Sequence, residues 1–161
     1  SALFDIKKIV VADGTATAQD WMPQEYDIIS TALISENYAY IGGRSEELDA
    51  YIVKAYDMEG NHLLTFGEKG KDGDDWIAYV SQMMEIPEGF FGIDANMRDL
   101  YIWGPDASVL GSVEAPDLFG ARYAWIAGAA KQDDGSILVA LTQDRDDDSA
   151  TELLLYRLSG F

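Results

Sequence analysis

Apolar residues along this chain come in short runs, and each run ends in a cluster of Gly, Pro, Asn, Asp or Ser. Tyr51 to Tyr56 is one such run; Asp57-Met58-Glu59-Gly60 ends it, and His62 to Phe66 begins the next. Short runs rich in Ile, Val, Tyr and Phe, bounded by turn residues, predict β-strands joined as hairpins. Helix is disfavoured almost throughout, because glycine, proline and Asp-Gly pairs interrupt each candidate before three turns are complete. One short helical turn is expected over residues 16–25.

The Asp57–Gly60 hairpin has a counterpart about fifty residues on, a spacing typical of repeat architectures. Leu100 to Trp103, a turn at Gly104-Pro105-Asp106-Ala107, and Val109 to Val113 repeat strand, turn and strand, with the turn residues at the same offset. Another hairpin precedes each of these two. Strands near 28–34 and 38–41 flank a Glu36-Asn37 turn, and strands near 77–85 and 90–93 flank Pro87-Glu88-Gly89. A third copy opens with "WIAGAAKQDDGSILVALTQ", whose Asp133-Asp134-Gly135 turn is a strong hairpin signal. "TELLLYRLSGF" supplies its third strand.

The chain therefore reads as a single domain, 1–161, of about three units at 27–67, 76–115 and 123–161. The expected fold is all-β, with about three four-stranded antiparallel blades of propeller type, half of a six-bladed ring. The third unit is one strand short. The N-terminal strand, 2–11, is the candidate to close it, in the same chain or across a pair, and so remove an open sheet edge.

The hairpin "YDMEGNHLLTFGEKG" resembles NHL-like and other six-bladed β-propeller families. There, a strand ending in an aromatic residue and Asp-x-x-Gly leads to an outer strand and then to Phe-Gly-x-x-Gly. "DDGSILVALT" is similar to the same families' Asp-Gly lead into a second strand. The resemblance implies a ring of about four to eight blades, more than three units supply. A second copy joining head to tail as three plus three would close such a ring. A longer chain carrying the remaining blades would also do so. A small four-bladed or sandwich-like protein is the third reading.

Composition narrows the partners. Asp and Glu number 29 against 11 Lys and Arg, for a net charge of −18. Such a surface repels phosphate backbones and anionic lipid, so neither nucleic acid nor membrane binding is expected. No apolar run approaches the ~18 residues of a membrane span. The chain opens at Ser1 without a basic, apolar leader, so a signal peptide is expected to be absent or already removed. With no cysteine, disulfides, thiol nucleophiles and thiolate zinc sites are excluded. The compartment stays open, with an extracytoplasmic one slightly favoured.

The loops between second and third strands each hold one arginine among acids: Arg44, Arg98 and Arg145. Their planar forks suit a carboxylate or phosphate ligand, although each could equally balance its acidic neighbours. In the loop from Asp144 to Glu152, the side chains of Asp144, Asp146, Asp148 and Glu152 are candidate calcium ligands. The EF-hand pattern is not met, since Ser149 stands sixth and Glu152 ninth. Trp76 and Trp125 precede inner strands; exposed, they would stack on sugars, and buried, they would pack sheet on sheet. His62, the only histidine, falls in an outer strand, and no nucleophile-elbow, zincin or phosphate-loop motif is present. The expectation is a non-enzymatic binding or assembly module that self-associates or meets a partner protein or small anionic ligand. Calcium is the one cofactor left open. The alternatives are a calcium-dependent propeller hydrolase of lactonase or glycosidase type, and a carbohydrate-binding lectin.

Overall fold

Antiparallel pairing between successive strands builds nearly the whole molecule. The computed structural model describes residues 5–22, 26–68, 76–120, 124–144 and 151–160. These residues fall into two compact units, Ser1–Trp76 and Ile77–Phe161. In the first, β1 (Ile6–Ala12) and β2 (Thr15–Met22) form a hairpin. β3 (Tyr26–Ile34), β4 (Ala39–Ser45), β5 (Ala50–Tyr56) and β6 (His62–Phe66) follow as a four-stranded meander. In the second unit, β7 (Val80–Ile86), β8 (Gly89–Asp94), β9 (Asp99–Trp103) and β10 (Val109–Glu114) form another. A short helix, α1 (Ala115–Phe119), leads to the three-stranded sheet of β11 (Ala124–Lys131), β12 (Ile137–Asp144) and β13 (Thr151–Leu158). The protein is all-β, and among the described residues its strands form four antiparallel sheets and no closed barrel.

Local chemistry sets the turns. Asp57, Gly104 and Gln132 each donate an N–H to the carbonyl four residues on, at 3.0, 2.8 and 2.8 Å. Each also accepts from the N–H three residues on, at 3.0 Å. The donor of this second bond is in each turn a left-handed residue, Gly60 (φ 92°), Ala107 (φ 62°) and Gly135 (φ 81°). An aspartate secures every one of these turns. Asp57 Oδ1 accepts the N–H groups of Glu59 and Asn61. Asp106 and Asp134 accept both the N–H and the hydroxyl of Ser108 and Ser136, the hydroxyl at 2.6 Å in each case.

Strand alternation then sorts side chains to two faces. In the second unit, Met84, Ile86, Phe91, Ile93 and Leu100 of one sheet bury against Ile137, Val139 and Leu141 of the next. In the first, Met22 of the hairpin packs on Tyr26, Ala39, Ile41, Ile52 and Tyr56, with Ile6 and Trp21 beside them. Each fully buried large side chain of this kind stabilises by roughly 1.5–3 kcal/mol.

Three sequence expectations need correction. Residues 15–22 are strand, not a helical turn: Asp13 (φ 51°) and Gly14 (φ 74°) form the two-residue left-handed turn that hairpins prefer. The N-terminal strand is one arm of a hairpin and not a lone strand: β1 pairs with β2, and among the described residues the third sheet is made of β11, β12 and β13. A helix stands where none was expected. α1 is five residues long, with Pro in its first turn and Gly120 (φ 66°) as a left-handed cap whose N–H reaches Pro116 O.

Gly92 lets an aromatic ring lie directly on a strand. Trp103, fully buried and stacked on Tyr101 at 5.0 Å, covers it, and an added Cβ would run into the indole. Gly92→Ala is therefore expected to cost about 1–3 kcal/mol by overpacking, read from urea unfolding. Gly128, whose added Cβ would meet nothing, serves as the control, and its alanine variant should unfold at the wild-type midpoint or above.

Candidate functional site

The corner between β8 and β9 is built on one buried carboxylate. Asp94 is fully buried, and its oxygens accept the N–H groups of Ala78 (2.5 Å), Tyr79 (3.1 Å), Asn96 and Met97 (2.9 Å each). Desolvating a carboxylate is costly unless its lone pairs are met, and four amides meet them here. They also tie the approach to β7 to the β8–β9 loop. The loop ends in left-handed Arg98 (φ 63°), whose carbonyl accepts the N–H of Ala115 at 2.8 Å. β4 and β5 join in the same way: Ser45 Oγ accepts Leu48 N–H, and Asp49 (φ 48°) is the left-handed last residue.

Two residues singled out in the sequence meet at this corner. The Arg98 guanidinium lies 5.9 Å from the ring centre of Trp125, a cation–π arrangement, with the indole otherwise exposed. Beside them, register places Asp99 opposite both Asp94 and Glu114. Partial burial, then the charges of Glu114 and Asp94, push the Asp99 carboxyl above its ordinary value, against the Tyr101 hydroxyl and Arg98. No sequence signal marked Asp99, since the cause is cross-strand register.

Arg44 is engaged differently. Its Nε and Nη2 grip Asp27, the latter at 2.6 Å, and Nη1 reaches Asp49 at 3.4 Å. The hydrogen bond from Arg44 holds the Asp27 carboxyl below its ordinary value. That fork is already occupied by a carboxylate of its own sheet, the balancing role that sequence left open. Trp76 is exposed in the first unit. Arg145, Asp146 and Asp148 lie outside the described residues, as does the side chain of Asp144. Glu152 is half-buried on β13, opposite Gln143. Among the described residues, no group of three or more histidine or acidic side chains is disposed to hold a metal ion. His62 hydrogen-bonds Leu64 O and Thr65 Oγ1 on its exposed outer strand.

The third sheet presents a second kind of surface. Its inner face is buried against β7–β9. Register lines up Trp125, Thr142 and Leu153 across the other face, followed by Ala140 beside Leu155 and Leu138 beside Arg157. Trp125, Leu153 and Leu155 are 56%, 67% and 65% exposed. Together they form an exposed apolar row on that face.

No protein-family model matches the chain. No curated protein matches it either. Among solved structures it is similar to the crystal structure of a protein of unknown function from Bacteroides caccae, at 16% identity with a TM-score of 0.51. The match covers 97% of this chain and 56% of that one, so the chain spans little more than half the length of that protein. Likeness at this identity speaks to the fold alone.

The carboxylate corner gives a pH-dependent expectation. Asp99 has a raised carboxyl in the folded state, so its contribution is fully present below the unfolded value and is lost as pH rises through the folded one. Asp99→Asn should therefore melt higher than wild type at pH 7, and the gap should close as pH falls below the ordinary carboxylate range. Melting curves across pH 3–7 with a constant gap, or none, would contradict the assignment.

Proposed function

We propose that the protein is a non-enzymatic assembly and binding module made of propeller-type blades, acting by stacking its outer sheet on a further sheet. One observation carries this reading: the third sheet is buried on one face and apolar but uncovered on the other, along Trp125, Leu153 and Leu155. A sheet with two apolar faces is stable when both are covered, which is how meanders stack in series. The shared five-residue turns and the successive-strand order of each sheet support a repeated unit. Charged corners would then face a partner protein or a small anionic ligand, with Arg98 as the guanidinium nearest an exposed aromatic. Five of the described aspartates are committed to structure, in turns (Asp57, Asp106, Asp134), in the buried corner (Asp94) or to Arg44 (Asp27), which favours binding over acid–base chemistry.

The expected solution state is an assembly larger than one chain. Sedimentation equilibrium should give that mass for the wild type, and Leu155→Glu, which places a charge on the exposed row, should return it to a single chain with unchanged secondary structure. A wild type that stays monomeric at the highest soluble concentration would remove the reading.

A further inference from the structure

The second and third sheets do not match in width. β10 pairs with β9 so that Gly111 stands opposite Ile102 and Val113 opposite Leu100, which puts both on the face turned to the third sheet. Among the described residues the third sheet has three strands, one fewer than the second. The result is a groove of about 470 Å³ floored by Gly111, Ser112 and Val113, with Leu118 of α1 at one side and the end of β13, Arg157 to Ser159, at another. Phe91, Leu100 and Leu158 line it and also belong to the buried core between the two sheets, so the groove continues that core outward. An added Cβ on Gly111 would meet nothing within 4 Å. Among the described strands, β13 pairs with β12 alone and is the last strand of its sheet.

We infer that this groove and edge receive the β1–β2 hairpin of a second copy of the chain, with β2 laid antiparallel to β13 as a fourth strand. The inference rests on the stacking reading above and names its partner. Three features of the hairpin fit the place. First, β2 precedes the first strand of a four-stranded sheet in chain order, as β10 precedes β11, so it holds the position of a last strand. Second, its edge is open: β2 pairs with β1 alone among the described strands. Ala12 and Thr15 close the Asp13-Gly14 turn, so the amides of Ala16 and Ala18 point away from β1, toward an incoming strand. Third, its residues there are small (Thr15, Ala16, Thr17, Ala18), which suits a floor made of glycine, serine and valine.

Docking would cover more than the edge. Met22, Trp21 and Ile6 already hold the hairpin against its own four-stranded sheet. A hairpin seated on β13 therefore carries that sheet toward Trp125, Leu153 and Leu155 of the receiving copy. One joint fills the groove, pairs two edge strands and covers the apolar face.

Two substitutions of the full chain test the joint, each at an exposed position of the protomer. Ala18→Pro removes an outward amide while leaving the β1 ladder intact, as prolines on edge strands do. Gly111→Trp fills the groove from its floor. With the wild type dimeric by sedimentation, both variants should halve the measured mass and keep the far-ultraviolet spectrum of the wild type. A dimer that either variant leaves intact overturns the inference. If that dimer still falls apart with Leu155→Glu, stacking stands and the hairpin joint alone fails. A monomeric wild type overturns both.

Discussion

A sheet that is apolar on both faces must be covered on both, and the organisation of this protein follows from that constraint. β8 shows it most directly: Phe91 and Ile93 bury toward the third sheet, while Phe90 and Gly92 on the opposite side are equally inaccessible. Trp103 lies over Gly92, where a methyl group would hold the indole away from the backbone. β12 alternates in the same way, with Ile137, Val139 and Leu141 inward, but its other side meets no cover within the described residues of its unit. Burial on two faces drives most charge to strand ends, turns and edges. The ion pairs and the carboxylate corner are found in those places.

The acidity of the chain has a structural share as well as a surface one. In the turns at Asp57, Asp106 and Asp134, the carboxylate takes up N–H groups that the reversing backbone cannot satisfy itself. Hydrogen bonds from Asn61, Ser108 and Ser136 lead in holding the three carboxyls below their ordinary value. Each supports the fold above the unfolded carboxylate range and ceases to do so as pH falls through its folded value. Asp99 runs the other way, because register sets it between two other acids in a partly dry place. The same residue type is thus a fastening at a turn and a strain at a corner. Donors make the difference: amides and hydroxyls converge on the turn aspartates, whereas Asp99 has a single long bond from Tyr101.

What the sequence made legible was local. The hairpins at Asp57–Gly60, Gly104–Ala107 and Asp133–Gly135 could be read because turn chemistry is written in adjacent residues. β2 escaped because the apolar positions of Thr-Ala-Thr-Ala-Gln-Asp are alanines alone, although Asp13-Gly14 before it is a hairpin signal of the same kind. α1 escaped because five residues are too few for helical periodicity, leaving only Pro116 and Gly120 as punctuation. For the site, Arg44 could be picked out but not its partner, since Asp27 lies across a strand pair. Arg98 and Trp125 were both named, yet their meeting depends on how the second and third sheets stack, which no local pattern encodes.

Association of such a chain has to overcome its own field. Two copies at −18 repel each other at long range, and this repulsion weakens beyond a Debye length of about 8 Å in physiological salt. The face of the third sheet that would meet a partner is, by contrast, mostly uncharged where its side chains are described: Trp125, Leu138, Ala140, Thr142, Leu153 and Leu155, with Arg157 among them. Its attraction is short-ranged and apolar, on the order of 1.5–3 kcal/mol for each large side chain fully covered. Repulsion and burial therefore act at different distances and respond oppositely to salt. Screening removes the first and leaves the second, so an interface of this composition tightens as ionic strength rises, where one built on ion pairs would loosen.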